Sequence, residues 1–117
     1  VSTHYLTFGV PTSVNKLYAP RYGGGLRLTN EAKTWKDEAI ILARNQWGYD
    51  VPLIGHLAIT YHFFGTKLDW DNGCKILSDS MNGIVYYDDK QIIQAHIYMH
   101  RQERKNPHVD VEIQTIG

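Results

Sequence analysis

A single cysteine, no net charge and no long apolar run set the first limits on this 117-residue chain. Cys74 alone excludes an internal disulfide and is a poor zinc ligand without a second thiol. It reads as a small buried helix residue in a protein of the reducing cytoplasmic compartment. No stretch approaches the roughly 18 apolar residues of a membrane span, and Val1-Ser2-Thr3 leads into strand-like sequence rather than a signal peptide, so no membrane partner is expected. Twelve Lys and Arg against twelve Asp and Glu deny the chain the overall basic surplus that phosphate binding ordinarily brings. Gly23-Gly24-Gly25 lacks the Lys-Ser/Thr ending of a phosphate-binding P-loop. These limits leave one domain, residues 1–117, large enough for a real core.

The charge is absent in sum but not in distribution. Residues 11–44 carry Lys16, Arg21, Arg27, Lys33, Lys36 and Arg44 against Glu31, Asp37 and Glu38. Residues 50–89 reverse the sign, with Asp50, Asp69, Asp71, Asp79, Asp88 and Asp89 against Lys67 and Lys75. Lys90, Arg101, Arg104 and Lys105 then outnumber Glu103. An acidic centre between basic arms suits a metal site inside a phosphate-binding groove; ordinary surface scatter accounts for the same pattern equally well.

Along the chain, His4, Leu6, Phe8 and Val10 share one parity, predicting a strand that ends at Pro11. The segment around the three glycines reads as an irregular, mobile loop carrying Arg21 and Arg27. From Thr29 or Asn30, residues Ala32, Trp35, Ala39, Leu42, Ala43 and Gln46 recur at helical spacing until Gly48 and Pro52. Leu53 to Phe64 is rich in β-branched and aromatic residues and predicts a second strand. A second helix follows over about 71–81, closed by Gly83. Gln91–Arg101 and His108–Ile116 alternate as two strands, expected to pair as an antiparallel hairpin. The order β-α-β-α-β-β implies an α+β fold, with a mixed or antiparallel sheet of about four strands and both helices on one face. Short connections around the second helix would bring Asp69, Asp71 and Asp89 to the same edge of the sheet.

The chemistry concentrates in Asp69-Trp70-Asp71-Asn72-Gly73-Cys74-Lys75 and Asp88-Asp89-Lys90-Gln91. Magnesium prefers oxygen ligands and commonly uses one or two carboxylates plus substrate phosphate, so Asp69, Asp71 and Asp89 make a sufficient set. Lys75, one helical turn after Asp71, can reach a phosphate oxygen or a leaving group; equally, it can be half of an exposed i, i+4 pair worth about 0.3–0.5 kcal/mol. Asn72 can cap the helix or position water. One aspartate at a helix start is explained by capping and the macrodipole, but Asp69, Asp71, Asp88 and Asp89 together repel unless a cation offsets them. His56 and His62, or His96 and His100, could suggest zinc. Strand residues four apart are about 13 Å apart, however, too far to share one ion without bending. Trp35 and Trp47 read as packing residues, while Trp70 could stack on a base.

The run D-x-D-N-x-x-K, a helix containing Asp79, and G-x-x-x-x-D-D-x-Q from Gly83 to Gln91 resemble, in order and spacing, the RusA family of Holliday junction resolvases. Pro11-Thr12-Ser13-Val14-Asn15-Lys16-Leu17-Tyr18 is similar to that family's P-x-S-x-N-x-x-Y segment, and the resemblance covers nearly the whole chain. It implies a homodimeric crossover junction endodeoxyribonuclease of DNA recombination and repair, acting on branched DNA, the four-way junction, by paired symmetric nicks. The implied cofactor is magnesium, with manganese as a substitute. The same resemblance makes Asp69, Asp71 and Asp89 the metal-binding and catalytic carboxylates and Lys75 the catalytic lysine, with Asn72 and Asp88 supporting. Candidate DNA contacts are Asn15, Lys16, Arg21, Arg27, Lys67, Arg101, Arg104 and Lys105. The chain departs from the family at Leu68, where a basic residue is common, and at Gly73. Two other readings stand beside this one: a non-catalytic nucleic-acid-binding module, and a metal-dependent nuclease for flaps or other branched DNA.

Overall fold

The computed structural model describes residues 1–10, 17–102 and 106–117. Strand β1 (Thr3–Gly9) turns Leu6 and Phe8 inward, following the predicted parity. The segment read as an irregular loop is instead a small hairpin. Strands β2 (Tyr18–Pro20) and β3 (Leu26–Leu28) pair antiparallel, Tyr18 opposite Leu28. The three glycines make this turn practicable, since Gly23, Gly24 and Gly25 sit at φ 91°, 112° and 79°, a region costly for residues with a Cβ. The Arg21 N–H donates to the Gly25 carbonyl to close it.

Helix α1 (Asn30–Trp47) starts at Thr29, whose hydroxyl accepts the Ala32 N–H, and stops at Gly48. Ala32, Trp35, Ala39 and Ala43 form its buried stripe. Leu42, expected in that stripe, lies on its flank and is 36% exposed. Strand β4 (His56–Phe64) begins later than its composition suggests, because Gly55 adopts φ 80° and breaks the extended run. Helix α2 (Trp70–Met81) buries Gly73, Ile76, Leu77, Ser80 and Met81. A short 3-10 turn (Asp89–Gln91) leads into β5 (Ile92–His100), and β6 (His108–Ile116) closes the fold.

The four long strands form one mixed sheet in the order β1-β6-β4-β5. The expected β5–β6 hairpin does not form. Instead β6 lies between β1 and β4, antiparallel to both, and β5 runs parallel to β4 on the outer side. Burial gives the reason. Val109, Val111 and Ile113 of β6 are fully buried, which suits a central strand, whereas β5 interleaves Gln94 and His96 and is mostly exposed. A helix such as α2 is also the ordinary connection between two parallel neighbours. Paired residues place Leu6, Val111 and Tyr61 on one face, with Phe8, Val109 and Phe63 beside them. Both helices cover that face, and each fully buried side chain there contributes about 1.5–3 kcal/mol. Among the described residues no helix is long and apolar enough to cross a membrane.

Candidate active site

The approach to α2 is anchored from below. Thr66 is buried and its hydroxyl accepts the Leu68 N–H at 3.1 Å, while Leu68 itself packs into the core. That packing explains an apolar residue where a basic one is common. The chain then turns out at Asp69, the N-cap of α2, whose backbone carbonyl accepts the Gly73 N–H at 3.0 Å. Its side chain makes no capping bond, so the carboxylate is not spent on the exposed amides of the first turn. Asp71 follows in that turn. Burial, then the Asp71 charge, pushes the Cys74 thiol up to about 12, which leaves it protonated and inert, as expected for a small half-buried helix residue.

Gly73 is buried where α2 crosses the sheet. A Cβ at this position would lie 3.2 Å from Phe63 Cε1 and 3.8 Å from the Trp35 ring. The glycine lets the acidic end of the helix approach β4. Lys75, one turn after Asp71, extends over Tyr18, its Nζ 5.6 Å from the ring centre. Among the described residues Lys75 makes no ion pair with Asp71 or Asp79, so the exposed Asp–Lys pair is not realised.

Asp88 and Gln91 close a capping box. The Asp88 carboxylate accepts the Lys90 N–H at 2.9 Å, and the Gln91 amide oxygen accepts the N–H groups of Asp88 and Tyr87. The Gln91 amide nitrogen donates to the carbonyls of Leu53 and Gly55, each at 3.0 Å. This D-D-x-Q segment is thereby stapled to the chain entering β4, and Asp89 is held at the far end of α2. The bond from the Lys90 N–H holds the Asp88 carboxyl below its ordinary range. Burial, the adjacent Asp88 and then Asp79 push Asp89 up, against a hydrogen bond from the Asn82 side chain. The influence of Asp79 extends further: after burial, its charge raises the Tyr18 phenol. Tyr86 donates to the Ser78 carbonyl at 2.7 Å, and the Tyr61 hydroxyl meets that of Ser78, fixing this helical turn.

The chain therefore holds two acidic groups, Asp69 with Asp71 at the start of α2 and Asp79 with Asp88 and Asp89 at its end, with Lys75 between them. Asp71 and Asp79 are eight residues apart, about 12 Å along the axis. The connections do not bring Asp89 beside Asp69 and Asp71 within the chain, and no three His, Cys, Asp or Glu among the described residues converge on one ion. Asn82 and the proximity of Asp79 to Asp89 were not legible beforehand. Asn82 carries no signal beyond its place just past the helix, and the second contact depends on how the turn after α2 folds back.

Of the candidate DNA contacts, Arg21 and Arg27 are exposed on the β2–β3 hairpin, which reaches α2 through Tyr18. Lys67 is exposed just before α2, and Arg101 just after β5. Asn15, Lys16, Arg104 and Lys105 lie outside the described residues. Trp70 is 47% exposed beside the acids, whereas Trp35 donates to the Gly9 carbonyl at 2.7 Å and Trp47 to that of Val51. The histidines meet across strands, His62 bonding His100 at 3.0 Å and both stacking near Phe64. They hydrogen-bond each other, and no third ligand among the described residues joins them.

A family model described as endodeoxyribonuclease RusA matches residues 9–114. No curated protein matches the chain.

Proposed function

Because the chain belongs to the RusA family of endodeoxyribonucleases, we propose that it is a magnesium-dependent enzyme that resolves four-way DNA junctions by paired symmetric nicks, acting as a cytoplasmic homodimer in recombination and repair. The observation that carries this reading is the start of α2. Asp69 occupies the N-cap without capping, Asp71 stands two residues on, and Lys75 reaches over Tyr18 from the next turn with no carboxylate partner among the described residues. A purely structural role would have used Asp69 as a cap and Lys75 as the mate of Asp71.

The donor set fits a hard cation. Asp69, Asp71 and Asp89, with Asn72 and Asp88 supporting, offer oxygen, and Cys74 stays protonated, which suits magnesium, or manganese in its place, over softer metals. When bound, such an ion offsets the charge of the scissile phosphodiester and makes water more acidic near neutral pH. The chain's own residues do the rest. Lys75 brings a positive charge to a phosphate oxygen and stabilises charge that builds in the transition state. Asn72 in the first turn of α2 orients water or backbone phosphate. Arg21, Arg27, Lys67 and Arg101 hold the DNA backbone, together with Asn15, Lys16, Arg104 and Lys105. Trp70 offers an open ring against an unstacked base at the branch.

A two-fold dimer presents two equivalent sites to two strands of like polarity, so each protomer cuts one strand of a junction. The test is to incubate the protein with labelled four-way junction, flap and duplex in magnesium or EDTA and to map the cuts. Symmetric nicks on the junction alone support the assignment. Binding without cleavage would make the chain a nucleic-acid-binding module, and preferential flap cutting would make it a nuclease of another branched substrate.

A further inference from the structure

The outward face of the sheet, opposite the helices, carries a chemistry that the proposed cleavage leaves unused. No Lys or Arg occurs in β1, β4, β5 or β6. The face is open to solvent, with Tyr5 74% and Tyr98 51% exposed. Register places His62 and Phe64 of β4 between Tyr98 and His100 of β5 on one side and Asp110 and His108 of β6 on the other. Asp110 accepts the Thr7 hydroxyl at 2.9 Å and lies 3.6 Å from His108, and Glu112 shares the face opposite Tyr5. Histidine rings beside carboxylates, with no cationic side chain from any of the four strands, make a surface for a cation and not for phosphate.

His62 and His100 are the pair that such a cation meets. Within one strand, His56 and His62 stay far apart, as do His96 and His100, but the parallel pairing of β4 with β5 brings together one member of each. His62 Nδ1 lies 3.0 Å from His100 Nε2. Each ring is also held by an aromatic neighbour, His62 by Tyr98 with centroids 5.0 Å apart and His100 by Phe64 at 4.4 Å. The spacing selects a coordination angle. An ion about 2.0–2.1 Å from each of two imidazole nitrogens separates them by about 2.8–3.0 Å at a right angle and by about 3.3–3.4 Å at a tetrahedral one. The observed distance is the right-angle value, which is the arrangement of copper(II) and nickel(II) rather than zinc. Such an ion replaces the proton shared by the pair and sits to one side of the line between the nitrogens, where the open face leaves room for water to complete its coordination.

We propose that His62 and His100 form a two-histidine site for a tetragonal transition-metal ion, copper(II) foremost, with water as the remaining ligands and Asp110, opposite His62 on β6, as compensating charge. Magnesium is not its ion, since magnesium takes oxygen donors, so the site is separate from the carboxylates around α2 and rests on none of the nuclease assignments. Its place gives it a structural consequence. Phe64 pairs with His100, the Gly65 N–H donates to the His100 carbonyl at 3.2 Å, and the chain then runs to Asp69. A metal bridging His62 and His100 staples β4 to β5 at the end of the sheet from which the chain departs for the acidic start of α2.

Copper titration of the untagged protein tests this. Copper(II) chloride is added to wild type, His62→Gln, His100→Gln, His96→Ala and Asp71→Asn, followed by electron paramagnetic resonance and thermal unfolding. Glutamine can keep a hydrogen bond to the remaining histidine, so the fold, checked by circular dichroism, survives the loss of one imidazole. Wild type is expected to bind copper through two nitrogen ligands and to melt at a higher temperature when loaded, with nickel(II) giving a smaller rise. Either glutamine variant should bind copper at least about tenfold more weakly and lose the rise, while His96→Ala and Asp71→Asn bind it as wild type does. A wild type without nitrogen-ligated copper, or either glutamine variant with the wild-type spectrum and rise, overturns the site. Loss of copper binding in His96→Ala or Asp71→Asn instead moves the ion elsewhere and overturns it as well.

Discussion

The ammonium of Lys75 lies 5.6 Å from the centre of the Tyr18 ring, within the range at which a cation is held over an aromatic face. This contact joins the β2–β3 hairpin, which carries Arg21 and Arg27, to the helix that carries Asp71. It places the ammonium over an aromatic face, with no carboxylate paired to it among the described residues, so the charge stays available to phosphate.

Lys75→Ala is expected to lower turnover on a four-way junction by about 10²–10³, the usual cost of removing one group that stabilises transition-state charge. Junction affinity in EDTA should change only a few-fold, because phosphate contacts are spread over several cations. Single-turnover cleavage and gel-shift titration separate the two. An unchanged cleavage rate would return Lys75 to an ordinary exposed position.

Asp89 ties stability to pH. Burial, Asp88 and Asp79 raise its folded-state pKa above the ordinary 3.8, so its contribution to stability is fully present below the unfolded pKa and is lost as pH rises through the folded value. At neutral pH the ionised carboxylate opposes folding. Asp89→Asn should therefore melt at a higher temperature than wild type at pH 7 without metal, with the difference closing as pH falls below the unfolded value. Magnesium should raise the Tm of the wild type more than that of the variant. Thermal scans across pH, with and without magnesium, check both expectations.

Gly73 is where core packing and site geometry meet. A Cβ there already approaches Phe63 to 3.2 Å, so Gly73→Ala sets about 0.8–1 kcal/mol of helix propensity against a tight contact and should be close to neutral. Gly73→Val adds volume with nowhere to go and should cost about 2 kcal/mol by overpacking. Urea unfolding measures the difference. A stabilised Gly73→Val protein would show that α2 sits further from β4 than described.

Gln46 guards the β1 edge through two bonds to Thr7. Gln46→Leu should cost about 1 kcal/mol, since water can replace exposed bonds. The Thr7 amide should lose its protection against hydrogen exchange, and the protein should self-associate more readily through the opened edge. Thr7 exchange at the wild-type rate would contradict this role.

What could be read before the structure follows from local physics. Helix α2 was legible because Cys74, Ile76, Leu77 and Met81 repeat at helical spacing, and α1 because Thr29 and Gly48 bracket a similar pattern. The Asp69–Lys75 spacing placed Asp71 and Lys75 one turn apart for the same reason. Pairing was not legible: alternation marks β5 and β6 as strands without naming their neighbours, and only the burial of Val109, Val111 and Ile113 puts β6 in the centre. The β2–β3 hairpin was hidden because each strand has only three residues, too few to show a period. The capping box of Asp88 and Gln91 was present in the letters, but its anchor at Leu53 and Gly55 depends on a tertiary contact. The separation of Asp89 from Asp71 likewise depends on which end of α2 the following turn meets.

The most direct measurement is cleavage mapping on a labelled four-way junction by the wild type and Asp71→Asn, in magnesium and in EDTA. Symmetric paired nicks by the wild type are expected only with magnesium, and a fall of more than about a hundredfold for Asp71→Asn, beyond what changes around a metal site usually cost, with junction binding in EDTA retained. Near-normal cutting by Asp71→Asn, or a wild type that binds the junction and leaves every strand intact in magnesium, would contradict it.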